Sequence, residues 1–193
     1  MGLVTTAQAR TAALEERIQK GLTAETLLRE SAKFTRSAYD VFLSHSKMDA
    51  SLVLGAKHIL ESKGYSVYVD WIDDPQLDRS RVNRKTADTL RRRMRSCKLM
   101  FYLHTKSASL SKWCPWELGY FDGFTYPTPR VFVFPLLGPG ETSFQGQEYL
   151  ELYPMIDVDN VSKSRSDRRD VWSYDPRADS KYRSMATILS EVR

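Results

Sequence analysis

Four short runs of strand-forming residues, at 39–44, 65–70, 98–104 and 130–137, alternate with stretches of helical periodicity, and this alternation limits the fold more than any other feature of the chain. The runs are apolar at consecutive positions rather than at every second one, so strands built from them hide both faces. Between the first two runs, Ser46 with Asp49 three residues on marks a helix start. Leu52, Leu54, Ala56, Ile59 and Leu60 form a core side, and Gly64 is a stop. The pattern predicts a helix over 47–63 and, from its length, a parallel strand–helix–strand crossover. A basic helix over 83–94 leads to the third strand, a helix over 111–123 to the fourth, and 153–158 forms a short final edge strand. Residues 70–78, rich in Asp with Pro75, read as a loop, and Gly138-Pro139-Gly140 as a turn. The expected fold is α/β, a parallel sheet with helices on both faces. In such sheets ligands bind outside the carboxyl ends of the strands, a rim that collects Ser44, His45, the segment after Asp70, His104 and the helix after 111.

The flanks read differently. In 1–38, Thr5 and Gln8 form a capping box, Leu14, Ile18 and Leu22 share a helix face, Gly21 lies near its end, and Thr23 starts a second helix over 24–33. The apolar stripe is narrow and needs support, with a second copy of the chain preferred over the domain itself. Residues 159–178 are polar and read as loop, and 179–192 as a closing helix. The expected division is a helical appendage at 1–38, a central domain at 39–158 and an extension at 159–193.

A chain of 193 residues can bury one good core. With 27% charged and 41% hydrophobic residues it has a globular composition. No apolar run reaches the roughly 18 residues of a membrane span and no secretory h-region is present, so a soluble, cytoplasmic protein without a membrane partner is expected. The start Met1-Gly2-Leu3-Val4-Thr5-Thr6 matches the myristoylation pattern, which is too short to count. The two cysteines, Cys97 and Cys114, and three scattered histidines lack metal-ligand spacing, so reduced buried thiols and no metal are expected. The net charge of +5 is local: 79–98 holds nine basic residues and one acidic, a segment charge of +8 that leaves −3 elsewhere. No base-stacking aromatics are interleaved with these arginines, which argues against nucleic acid and for the solvated face of a helix. No glycine-rich phosphate loop follows a strand, so a Rossmann or P-loop grip is not supported and no bound cofactor is expected.

The chemistry concentrates in Ser-Lys-Trp-Cys-Pro-Trp-Glu-Leu-Gly-Tyr-Phe-Asp-Gly, residues 111–123. Pro115 suits a first helical turn, which places Glu117 near the helix N-terminus, where unpaired N–H groups favour an ionised carboxylate by about 0.3–1 kcal/mol. The helix start is expected to face a cleft and the terminal glycine to close the helix.

These parts, in this order, resemble a bacterial TIR domain. The resemblance covers about 39–158. Tyr39-Asp40-Val41-Phe42-Leu43-Ser44-His45-Ser46 is similar to the family's opening strand motif, Asp70 to Asp78 sits where its mobile loop after the second strand lies, and Trp113-x-x-x-Glu117 resembles the motif carrying the catalytic glutamate of NAD-cleaving members. The resemblance implies a flavodoxin-like, five-stranded parallel sheet of order 2-1-3-4-5. It implies Glu117 as catalytic residue and NAD as substrate, with Ser44, His45, Asp70, Trp71 and Trp113 lining the pocket and Asp73 and Asp74 available for binding. Packing is the expected role of Phe42 and backbone satisfaction that of His104. Breaking the nicotinamide–ribose bond expels a pyridine that is already cationic, so no general acid is required, whereas a glycosidase needs two carboxylates. One carboxylate 4 Å from a developing positive charge, at an effective dielectric constant near 20, supplies about 4 kcal/mol, roughly three orders of magnitude in rate before solvation differences. The products implied are nicotinamide with ADP-ribose or a cyclic isomer. The partners implied are other TIR copies and, as in Thoeris-type anti-phage systems, a separate effector that responds to the product. A non-enzymatic TIR–TIR adaptor and a mimic of host TIR domains remain alternatives.

Overall fold

Cys97–His104 (β4) is the strand around which the others arrange. Leu99, Phe101 and Leu103 point to one side of the sheet, Met100 and Tyr102 to the other, and none of the five has exposed surface. A strand buried on both faces requires cover on both sides, and the chain supplies it. The computed structural model describes residues 2–20, 36–77, 83–158 and 171–192.

Tyr39–Ser44 (β2) pairs in parallel with β4, Val41 opposite Leu99, and on its other edge with Val67–Tyr68 (β3). Val131–Leu137 (β5) lies along the far side of β4 with Phe132 opposite Phe101, and Met155–Asp157 (β6) follows, again parallel. The parallel order β3-β2-β4-β5-β6 is the expected 2-1-3-4-5. The sheet, however, has eight strands. Val4–Thr5 (β1) pairs with β5 at Leu136 and Leu137, and β6 is not an edge, because Trp172–Tyr174 (β7) and Tyr182–Ser184 (β8) extend the sheet in antiparallel sense. Their three-residue strands are interrupted by Asp175-Pro176, so their alternation is too short to read. The final helix consequently starts late, at Met185–Glu191 (α6), and not at 179.

Ala50–Ser62 (α2), entered through a 3₁₀ turn at Lys47–Asp49 whose start is capped by Ser46, covers one face with α6. Arg84–Arg95 (α4) and Cys114–Thr125 (α5) cover the other. Two further segments depart from expectation. Asp70–Asp73 (α3) is a helical turn and not a loop: Val69 O accepts the N–H groups of Ile72 and Asp73 at 3.0 and 2.8 Å, and this coil cuts β3 to two residues. α5 runs through Gly123 to Thr125, where Tyr126-Pro127 ends it, since a helical conformation is disfavoured before proline.

Thr6–Lys20 (α1) is capped as predicted, Thr5 N donating to Gln8 Oε1 and Gln8 N to Thr5 Oγ1. Its buried face is the reverse of the expected one. Ala9, Ala12 and Ala13 pack inward, whereas Leu14 and Ile18 are 53% and 70% exposed. Small residues win because α1 crosses α2 at Gly55, where a Cβ would stand 1.7 Å from the carbonyl oxygen of Ala9. Leu22, Gly21 and the expected helix over 24–33 lie outside the described residues.

Substituting Gly55→Ala must therefore push backbone away from backbone. We expect it to lower the urea midpoint by an amount equivalent to about 1–3 kcal/mol while far-ultraviolet circular dichroism stays close to that of the parent.

Candidate active site

Ser44 ends β2 two residues after Phe42 and so faces the α4–α5 side of the sheet. The turn before α5 is held by Ser111, whose hydroxyl accepts the N–H groups of Trp113 and Cys114 at 3.3 Å. With Pro115 in the first turn, Glu117 N donates to Trp113 O at 2.8 Å and the side chain of Glu117 meets the end of β2. There Ser44 Oγ donates to Glu117 Oε2 at 2.6 Å, a short, well-formed hydrogen bond. Two residues 73 positions apart thus meet at the carboxyl ends of the central strands. The expected open cleft is absent at this point. Glu117 has no exposed surface and Trp113 is 7% exposed. Trp113 sets its ring edge-on to Trp116 at 5.4 Å, and Trp116 stacks on Tyr120.

His45, Asp70 and Trp71 form a second group beside the first. Nδ1 of His45 lies 2.8 Å from Leu43 O, and a carbonyl only accepts, so Nδ1 carries a proton. Nε2 accepts the Trp71 indole N–H at 2.8 Å, while Asp70 Oδ1 stands 3.2 Å from the same nitrogen. His45 and Asp70 are buried, and the half-buried Trp71 is the member of the group with a solvent-facing surface.

Asp73 and Asp74 are not available for binding. Asp73 accepts from Tyr39 Oη at 2.8 Å and from Val69 N at 2.7 Å; Asp74 accepts from Tyr68 Oη at 2.7 Å and takes a two-pronged contact from Arg93 at 2.5 and 2.6 Å. Burial pushes the Asp73 carboxyl above its usual value. Burial acts on Asp74 in the same direction, but hydrogen bonds from Arg93 and Tyr68 outweigh it and hold that carboxyl below the usual value. The pair of Asp74 and Arg93 ties α3 to α4, and neither proton linkage nor pairing was readable from the run of Asp residues alone. The basic helix is also explained from within: Arg91 lies over the rings of Trp116 and Tyr120, and Arg95 over Tyr120 and Phe124, so α4 packs on α5 through cation–π contacts. The segment holds fewer free charges than its composition suggests.

Phe42 packs as expected, stacked on Tyr68 at 5.3 Å. Cys97 and Cys114 are buried and are not joined in a disulfide. Among the described residues no group of His, Cys, Asp and Glu side chains could hold a metal ion, and no helix is long and apolar enough to cross a membrane.

An open, mainly parallel sheet with a fully buried carboxylate held at its carboxyl rim by a strand-end serine defines a flavodoxin-like α/β protein. The chain belongs to the TIR domain family, whose model matches residues 41–170. It is 47% identical, over 135 residues covering 69% of this chain and 67% of the relative, to the "Probable 3' cyclic ADP-D-ribose synthase ThsB'" of Bacillus cereus strain MSX-D12. It is 31% identical over 86 residues to TIR2 of Cytobacillus dafuensis, a protein named for cyclic ADP-D-ribose synthesis, with 44% of this chain and 23% of that protein covered.

Linkage gives the pH dependence a sign. Asp74, lowered in the native state, contributes stability that is present above the unfolded carboxylate value and lost as pH falls through the native one; Asp73, raised, contributes in the opposite sense. Arg93→Ala is expected to cost about 2 kcal/mol or more at neutral pH, because a buried carboxylate loses its partner. The cost should shrink in strong acid, where Asp74 is protonated, and urea midpoints at the two pH values measure it.

Proposed function

We propose that this chain cleaves NAD at the nicotinamide–ribose bond and closes the remaining ADP-ribose into a cyclic isomer. The observation that carries the reading is the buried pair of Glu117 and Ser44 at the carboxyl ends of the central strands, in a chain 47% identical to a relative named as a 3' cyclic ADP-D-ribose synthase.

The bond between C1′ and the pyridinium nitrogen breaks with its electron pair passing to nicotinamide, which leaves neutral. Positive charge then develops on the ribose C1′ and ring oxygen, and Glu117 is the group that stabilises it. A hydroxyl of ADP-ribose attacks C1′ and loses its proton, which gives the cycle; attack by water gives linear ADP-ribose. A carboxylate kept from water favours the first outcome. Ser44 orients the carboxylate by donating its hydroxyl to Oε2. Trp113 and Trp71 line the pocket on this reading, Trp71 donating its indole N–H to His45 beside Asp70. Substrate reaches Glu117 only when the side chains that bury it are displaced. NAD acts as substrate and not as a resident cofactor.

Residues 39–158 form the catalytic unit on this reading, and 1–38 and 159–193 support it. The protein works in the cytoplasm through contacts between TIR copies, and its product signals to a separate effector in anti-phage defence.

The test is nicotinamide release by the concentrated full chain, with the second product resolved by mass and retention. Glu117→Gln is expected to abolish release while remaining folded. Ser44→Ala is expected to lower the rate by tenfold or more, the scale on which positioned catalytic groups act. If parent and variants alike leave NAD intact at high concentration, the chain is an adaptor.

A further inference from the structure

Away from Glu117, at the carboxyl ends of β4 and β5, the surface folds in to form a cavity of about 630 Å³, within the size range of small-molecule sites. Four separate parts of the chain line it: α1, the start of α2, the turn after β4, and the loop after β5. The α1 contribution lies outside the stretch matched by the TIR model, so this hollow is not built from the matched domain alone.

Its chemistry changes from floor to rim. Leu52, Leu136 and Leu137 supply apolar surface. His104 and Phe144 form an aromatic wall, edge to face with centroids 4.8 Å apart. Burial lowers the His104 pKa, which keeps the imidazole neutral at physiological pH. At the rim stand two exposed cations, Arg10 and Lys106, and Arg10 has no ion pair among the described residues. Two carboxylates also border the cavity. Asp49 is engaged by the Thr105 hydroxyl. Glu141 accepts from Gly138 N at 2.6 Å and lies 3.7 Å from Lys106, an exposed contact worth little and readily exchanged.

An apolar floor with an aromatic corner of two perpendicular rings, one rim carboxylate and two cations supplies the groups that a base, a ribose diol and a phosphate require. We infer that this cavity binds a nucleoside phosphate, its base against His104 and Phe144, its ribose hydroxyls on Glu141 and its phosphate on Arg10 and Lys106. The ligand is either a free mononucleotide or the AMP half of a dinucleotide. The inference does not depend on Glu117 being catalytic, because binding is read without turnover.

Calorimetric titration of the full chain with AMP is the direct test. Saturable binding is expected, weakened tenfold or more by Arg10→Glu and by Lys106→Glu, both exposed positions where folding is not at stake. Adenosine and inorganic phosphate should each bind more weakly than AMP, since each lacks part of the ligand. Should AMP compete with NAD in nicotinamide release, the cavity holds the AMP half of the substrate; non-competitive behaviour means a free nucleotide at a separate site, and both results support the inference. Absence of saturable AMP binding, or equal binding by parent and both charge-reversed variants, overturns it.

Discussion

The constraint on which everything else rests is the double burial of β4. Its five central side chains are removed from water on both faces, and its backbone is hydrogen-bonded on both edges. Each face then needs its own helices, each edge its own parallel strand, and each parallel strand a crossover that returns to the same end of the sheet. One consequence is geometric. The ends of β2 and β4 and the start of α5 converge on one rim, and a serine from the first and a glutamate from the last are brought to 2.6 Å without either being near the other in sequence.

Around that pair the polar groups are arranged to answer one another. A carboxylate with no exposed surface costs several kcal/mol unless donors surround it, and Ser44 is one of them. The neighbouring aspartates follow the same rule. Asp73 takes a tyrosine and a backbone N–H, Asp74 a tyrosine and an arginine. Through these contacts α3 is fastened to β2, β3 and α4, and Trp71, carried on that turn, packs against the core and donates its indole N–H to His45.

Much of this was legible beforehand where the information is local. Runs such as Leu99 to Leu103 announce a buried strand by composition, Thr5 with Gln8 announces a cap, and Ser46 with Asp49 a helix start. The resemblance of Trp113-x-x-x-Glu117 to the TIR motif singled out a glutamate that the structure buries against Ser44. What was not legible depends on partners distant in sequence. Leu14 and Ile18 look like the inward face of α1 until Gly55 offers a contact that only small residues can make. The arginines of α4 look like solvated charge until α5 brings Trp116 and Tyr120 beneath them. β7 and β8 are too short for their alternation to register, and they form because β6 offers them an unpaired edge.

The complete burial of Glu117 has a thermodynamic corollary. A dinucleotide that needs this carboxylate meets it only in the fraction of molecules whose cover is displaced, and its apparent dissociation constant is the intrinsic one divided by that fraction; an open population of about 1% weakens binding roughly a hundredfold. Any contact that steadies the displaced form, from a neighbouring molecule or a small ligand, therefore raises apparent affinity without touching NAD. On the proposed reading, access to the carboxylate is set by how often its cover is displaced, and the residues that bury it set that fraction.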